Sequence, residues 1–156
     1  MSTKLAVELD WARAAKVIQS WLKERHEVMV LFYDLCQQRP FLEAQPIAAP
    51  LQKLCNLLID YVSYGEFSVF ELIAKAHEAN PMASQPLSKE LMVKLLRTTN
   101  TVLAFQSRYA DNTTLNLQQL DKDLSVLAEQ FAQRLDCEDQ LFTLYVDAVS
   151  TLQIPI

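Results

Sequence analysis

Hydrophobic residues recur every three or four positions along most of the chain, a spacing that predicts amphipathic α-helices. The first helix is predicted from Asp10, as N-cap, to Arg39, ahead of Pro40. The segment from Pro40 to Pro50 contains three prolines, its two end residues included, so we expect a loop there. The apolar stripe of the first helix is interrupted by one charge and consists of Ala14, Ile18, Trp21, Arg25, Val28, Phe32 and Leu35.

Shorter periodic segments follow in the middle of the chain. A second helix is predicted to start after Pro50 and to be interrupted at Gly65. A third segment begins near Phe67 and ends near Asn80 and Pro81. The apolar face of the second helix consists of Leu51, Leu54, Cys55, Leu58 and Val62.

Two long helices are predicted in the second half of the chain. After a loop from Pro81 to Pro86, a fourth helix keeps its apolar register from Leu87 to Tyr109. A turn is indicated at Asp111–Thr114. The last helix spans Leu117 to Val149 and ends before Pro155.

These elements predict an all-α fold. Long amphipathic helices joined by short loops pack antiparallel, so we expect an up-and-down four-helix-type bundle with additional short helices. The length of 156 residues and the 51% hydrophobic content suit a single domain over residues 1–156. The chain has one glycine, which excludes the glycine-rich phosphate loops of nucleotide-binding proteins and kinases.

Catalytic and metal-binding patterns are missing from the sequence. The two histidines, His26 and His77, follow Lys23 and Ala74 at the three-residue spacing, so no Glu-x-x-His motif forms. We therefore expect no enzyme activity, no cofactor and no metal. Three widely spaced cysteines predict reduced thiols. With neither a signal peptide nor a membrane span in the pattern, we expect a cytoplasmic protein.

Charged residues interrupt two apolar stripes. Arg25 occupies a core position of the first helix, and Glu138 occupies one of the last helix with Asp139 beside it. Since an unpaired buried charge is very unfavourable, an ion pair of Arg25 with either acid is expected inside the bundle. Such a pair can fix helix register, or it can mark a pocket for a small molecule or anion at the bundle end.

The net charge of −5 resides entirely in the last segment. The segment from Asn116 to the end contains seven acidic and two basic residues, whereas the preceding 115 residues have no net charge. An acidic chain is poorly suited to bind nucleic acid or an anionic membrane directly. This charge is either a solvated helix face or an acidic surface for a basic protein partner. Bundles self-associate through leftover apolar faces, and we expect a monomer or weak dimer.

A polar strip lies opposite the apolar face of the second helix. Asp60 and Ser63 fall on this side, and Phe67 joins them at i+7 if the helix runs straight through Gly65. An exposed aromatic among polar groups is typical of a binding hot spot. If Gly65 breaks the helix, Phe67 instead begins the core stripe of the next segment.

The same region resembles a family of bacterial anti-sigma factors. The run LIDYVSYGEF, from Leu58 to Phe67, is similar to the L-V-D-Y-[VL]-S-A-G-H-F signature of the Rsd/AlgQ family. The run RLDCEDQLFTLYVDA, from Arg134 to Ala148, resembles the acidic element of the family. Within the signature, Tyr64 replaces a small residue and Glu66 replaces a histidine. The resemblance extends from about Trp21 to Ala148.

The resemblance implies a helical bundle that binds region 4 of the primary sigma factor. This region is a basic helix-turn-helix that reads the −35 promoter element and contacts core RNA polymerase. Family members lower housekeeping transcription and favour alternative sigma factors in stationary phase. Carried over by position, the contact residues fall on Asp60, Ser63 and Phe67.

Two other functions are compatible with the sequence. The bundle can regulate another bacterial signalling enzyme or carrier. Alternatively, an enzyme or small-molecule sensor can have its pocket around Arg25 and Glu138. Capture of the sigma factor from lysate favours the anti-sigma function, whereas a metabolite that raises thermal stability favours the sensor.

Overall fold

The computed structural model describes residues 2–78, 89–111 and 114–151, and these residues form helices and no strand. The all-α prediction is confirmed. The last predicted helix is found close to its expected bounds. The helical elements are α1 (Ser2–Cys36), α2 (Gln45–Tyr64), a π-helical segment (Gly65–Phe70), α3 (Glu71–Glu78), α4 (Lys89–Tyr109) and α5 (Leu117–Thr151).

The helices pack as a bundle. Helix α2 packs against α1 and α4, and α5 packs against α4 and α3. Burying a large apolar side chain contributes roughly 1.5–3 kcal/mol, so the shared core is the main source of stability. The core includes at least one fully buried residue from each of these helices, among them Trp21, Leu58, Ile73, Val102 and Leu124.

The first helix starts earlier than predicted. Helix α1 begins at Ser2, so the assignment of Asp10 as N-cap is wrong. Residues 2–9, ahead of Asp10, contain Leu, Ala and Glu and no glycine or proline. This composition favours a helix strongly enough that the helix continues through Asp10 as an interior residue. The helix ends at Cys36, three residues before Arg39.

The second helix also starts earlier than predicted, and Pro50, which was expected to precede it, lies inside it. Helix α2 begins at Gln45 and includes Pro50, so the predicted loop is shorter than Pro40 to Pro50. Pro46 lies in the first turn, where no N–H is needed. Pro50 removes one backbone hydrogen bond about one turn later. Burial of Ile47 and Leu51 on either side of Pro50 offsets this loss.

The chain does not leave the helical conformation at Gly65. Its φ of −57° and ψ of −52° are right-handed helical values, and its N–H bonds to the carbonyls of Tyr61 and Val62. The predicted interruption is instead a π-helical segment that joins α2 to α3 without a break.

The predicted loop from Pro81 to Pro86, together with Leu87 and Pro155, lies outside the described residues. So do two residues of the predicted turn at Asp111–Thr114. Over the part of the chain that is described, no helix is both long enough and apolar enough to cross a lipid bilayer.

Candidate protein-binding surface

Three predicted contact residues follow one another along the continuous helical path. Asp60 is exposed and Ser63 is half-buried on α2, and Phe67 is 75% exposed on the π-helical segment. These residues, at i, i+3 and i+7, are called the signature strip below. The helical path continues through Gly65, but as a π-helical segment and not as a straight α-helix, so the common face of the three residues stays a prediction.

The π-helical segment determines which side of the helix Phe67 occupies. Gly65, Val69 and Phe70 take the buried positions of this segment, and Ile73 continues the buried face into α3. Phe67 falls between them on the outer side. The alternative prediction, in which Phe67 begins a core stripe, is therefore wrong.

Carboxylates adjoin the signature strip on the side of α1. Partial burial raises the pKa of Glu24, and the negative charges of Asp60 and Glu27 raise it further. Two helices thus bring acidic groups together near the strip, an arrangement suited to arginine or lysine side chains of a partner. Glu24 does not stand out in the sequence, because nothing along one helix shows that α1 and α2 are neighbours.

The predicted charged residues of the bundle interior also lie together. Arg25 Nη1 is 2.8 Å from Asp139 Oδ1, and Arg25 Nε is 3.9 Å from Glu138 Oε1. The Arg25 side chain is 14% exposed and that of Asp139 is 65% exposed, whereas Glu138 is fully buried. The Asp139 end of this group of charges therefore opens to solvent.

Arg134, which the helical pattern alone does not single out, is the fully buried partner of Glu138. Its Nε donates to Glu138 Oε2 at 2.8 Å, and its Nη1 donates to Thr99 Oγ1 at 2.8 Å. The Tyr61 hydroxyl donates to the other oxygen of Glu138. Arg134 follows the core residue Phe131 by three positions and precedes Glu138 by four, a spacing that fits the core face, but its neighbour Leu135 fits that spacing as well.

Burial sets the protonation behaviour of this network. It raises the pKa of Glu138, and the Arg134 guanidinium and the Tyr61 hydrogen bond act against that shift. Burial also raises the pKa of Tyr61, and the Glu138 carboxylate adds to the effect. Tyr61 consequently remains a hydrogen-bond donor at neutral pH.

The described residues contain no group of three His, Cys, Asp or Glu side chains placed to hold a metal ion. Cys36, Cys55 and Cys137 are free. Burial raises the pKa of Cys55 to about 11, so its thiol is protonated at neutral pH and unreactive.

Comparisons with known proteins place these features in context. The model of a family described as "Regulator of RNA polymerase sigma(70) subunit, Rsd/AlgQ" matches residues 1–145. A "Regulator of sigma D" from Yersinia pseudotuberculosis serotype O:1b (strain IP 31758) is 28% identical over 146 residues, covering 89% of this chain and 85% of the relative. Another, from Pectobacterium carotovorum subsp. carotovorum (strain PC1), is 28% identical over 137 residues, covering 84% and 88%. No solved structure is significantly similar to the chain.

Proposed function

Because the chain belongs to the Rsd/AlgQ family of regulators of the RNA polymerase sigma(70) subunit, we propose that it binds the primary sigma factor in the bacterial cytoplasm. The contact on the sigma factor is region 4, the basic module that reads the −35 promoter element. The observation that supports this proposal best is the exposure of Phe67 within the family signature, next to the acidic groups of α1 and α2.

Each residue of the signature strip has a distinct chemical role in this complex. Phe67 inserts into an apolar pocket of region 4 as the anchor, since aromatic side chains are enriched among hot spots. Asp60 accepts charge-assisted hydrogen bonds from arginine or lysine. Ser63, half-buried beside them, contributes a small polar contact at the edge.

The proposed mechanism is occupancy and involves no covalent chemistry. A protein that covers the basic surface of region 4 competes with the DNA phosphates for the same cations. The same complex prevents region 4 from docking on core RNA polymerase. Housekeeping transcription falls as a result, and alternative sigma factors gain polymerase in stationary phase.

The first test is a pair of alanine variants in the signature strip. Phe67→Ala and Asp60→Ala are expected to fold normally and to raise the Kd for the full-length primary sigma factor. An effect of about 2 kcal/mol each, or roughly 30-fold in Kd, is typical of a hot spot. Isothermal titration calorimetry measures the Kd, and circular dichroism confirms the fold.

Matched controls lie elsewhere on the surface. Leu96→Ala removes an exposed apolar side chain from α4, and Glu90→Ala removes an exposed carboxylate from the same helix, outside the acidic segment that contains α5. Both are expected to keep the wild-type Kd. If Phe67→Ala and Asp60→Ala bind as tightly as these controls do, the signature strip is not the contact surface.

A further inference from the structure

Helix α4 has apolar side chains on two sides. Its buried side contributes Leu95 and Val102 to the core. On its other side, Val93 and Leu96 are each 56% exposed, and Leu103 is 39% exposed. Single exposed apolar residues are common on protein surfaces, so the pattern that these three form decides whether they mark a binding site.

The exposed side of α4 repeats with the spacing of a coiled coil. Five exposed residues alternate three and four positions apart, and a turn of 100° per residue places them in a strip about 80° wide. These residues, called the α4 seam below, are Val93, Leu96, Asn100, Leu103 and Ser107. A single asparagine among apolar interface positions, such as Asn100, fixes register and oligomer state in paired helices. The seam therefore has the pattern by which one helix packs against another.

The charges around the α4 seam are mostly positive. The charged residues of α4 are four cations and one carboxylate, all of them exposed: Lys89, Lys94, Arg97, Arg108 and Glu90. Arg108 is already paired with Asp123, whereas Lys94 and Arg97 form no ion pair within the described ranges. Arg97 directly follows Leu96 and flanks the seam, at a position from which charges select the partner helix in coiled coils.

Charge and polarity decide which helix fits the α4 seam. A second copy of α4 would place like charges opposite each other, which is unfavourable. Helix α5 of a second copy is acidic, but its exposed side at the same spacing is polar apart from Val126. Region 4 of the sigma factor is basic and is unsuited for the same reason as α4. The complement is a helix of another protein, with apolar residues at heptad spacing and acidic flanks.

We propose that the α4 seam is a docking surface for an acidic amphipathic helix of a partner protein other than the sigma factor. The three apolar side chains of the seam pack between the apolar residues of this helix, and Lys94 and Arg97 pair with its carboxylates. The seam spans about 21 Å from Val93 to Ser107, so about two heptads of the partner cover it. It contains no residue of the signature strip and does not depend on the proposed function.

The first test uses two synthetic peptides of about three heptads, each with leucine at the a and d positions and asparagine at the central a position. One peptide has glutamate at every flanking e and g position, and the other has lysine there. Fluorescence anisotropy with the full chain should show saturable binding of the glutamate peptide, and binding of the lysine peptide at least about tenfold weaker. No binding of the glutamate peptide, or equal binding of both peptides, would overturn the proposal.

Matched variants localise the binding. Leu96→Gln should weaken binding of the glutamate peptide at least about tenfold, whereas Val126→Gln, a similarly exposed change on α5, should leave it unchanged. Arg97→Glu should shift the preference toward the lysine peptide, whereas Lys122→Glu, the same charge change on α5, should not. Leu96→Gln should keep the circular dichroism spectrum and the Kd for the sigma factor. Equal losses in the α4 and α5 variants would contradict docking at the seam.

A lipid surface is the competing occupant, because basic and apolar side chains on one helix face also suit anionic membranes. Co-sedimentation of the full chain with phosphatidylglycerol vesicles at physiological salt distinguishes the two. The proposal predicts that the chain stays in the supernatant. Vesicle binding that Leu96→Gln abolishes and Val126→Gln preserves would assign the seam to a membrane and would overturn the proposal.

Discussion

At the scale of single residues, Phe67 and Arg134 reverse the usual preferences of their residue types. The phenylalanine is 75% exposed, whereas the arginine is fully buried. Arg134 is tolerated inside because Glu138, Thr98 and Thr99 accept its hydrogen bonds. The exposed Phe67 ring is not covered by other side chains in the described part of the fold, and in our proposal the partner protein covers it.

Removing Arg134 is expected to destabilise the fold strongly. Arg134→Ala leaves the Glu138 carboxylate buried without its closest cation, and breaking a buried pair typically costs about 3–5 kcal/mol. Urea unfolding followed by circular dichroism measures the change. Arg25→Ala is the matched comparison and is expected to cost less, because its nearest partner, Asp139, is largely exposed. Equal losses in the two variants would contradict this assignment.

The sequence was informative where a charge stood within an apolar stripe. Arg25 and Glu138 were singled out on that basis, and the structure brings them together. Arg134 was overlooked because Leu135 also fits the periodicity, and only packing shows which of two adjacent residues faces the core. Glu24 was overlooked because its relation to Asp60 depends on how two helices pack.

At the scale of elements, the helix pattern was more predictable than the helix boundaries. The described start of α4 and the bounds of α5 lie near the predicted ones, since both helices keep an unbroken 3.6-residue period. The start of α2 was missed because a proline early in a helix removes few hydrogen bonds. The π-helical segment was missed because its buried residues, Gly65, Val69 and Phe70, keep the spacing of an α-helix.

The junction of α4 with α5 depends on one carboxylate. Arg108 Nη1 donates to Asp123 Oδ2 at 2.8 Å, and Gln119 Nε2 donates to Oδ1 at 3.0 Å. The Tyr109 hydroxyl is a third donor. Partial burial acts to raise the pKa of Asp123, but these hydrogen bonds outweigh it and hold the pKa below its usual value.

This arrangement predicts a pH-dependent effect of Asp123→Asn. A lowered pKa in the folded state stabilises the fold above the unfolded-state pKa, and the contribution disappears as the pH falls through the folded-state value. At pH 7 the variant is expected to be less stable by about 1–2 kcal/mol. The difference should shrink below about pH 4. Thermal unfolding of both proteins from pH 7 to pH 3 tests this, and a constant difference would refute it.

At the scale of the whole molecule, the charge is unevenly distributed along the chain. The net charge of −5 lies entirely in the segment that contains α5, whereas region 4 of the proposed partner is basic. Opposite charges accelerate encounter over distances of about a Debye length, which is roughly 10 Å at 0.1 M salt.

Affinity for the sigma factor is therefore expected to fall with salt. The association rate should decrease more than the dissociation rate increases when sodium chloride is raised from low to physiological levels. Stopped-flow or surface plasmon resonance separates the two rates. A variant with both Glu129→Gln and Asp136→Asn, at exposed positions of α5, should show a weaker salt dependence. Salt-independent association would rule out the electrostatic part of the mechanism.

The most direct measurement is size-exclusion chromatography with light scattering on equimolar mixtures. The chain is mixed with the full-length primary sigma factor, and separately with a sigma factor that lacks region 4. We predict a one-to-one complex with the full-length protein and none with the truncated one. A complex of equal stability with both sigma factors, or no complex with either, would contradict the proposal that this chain acts by covering region 4.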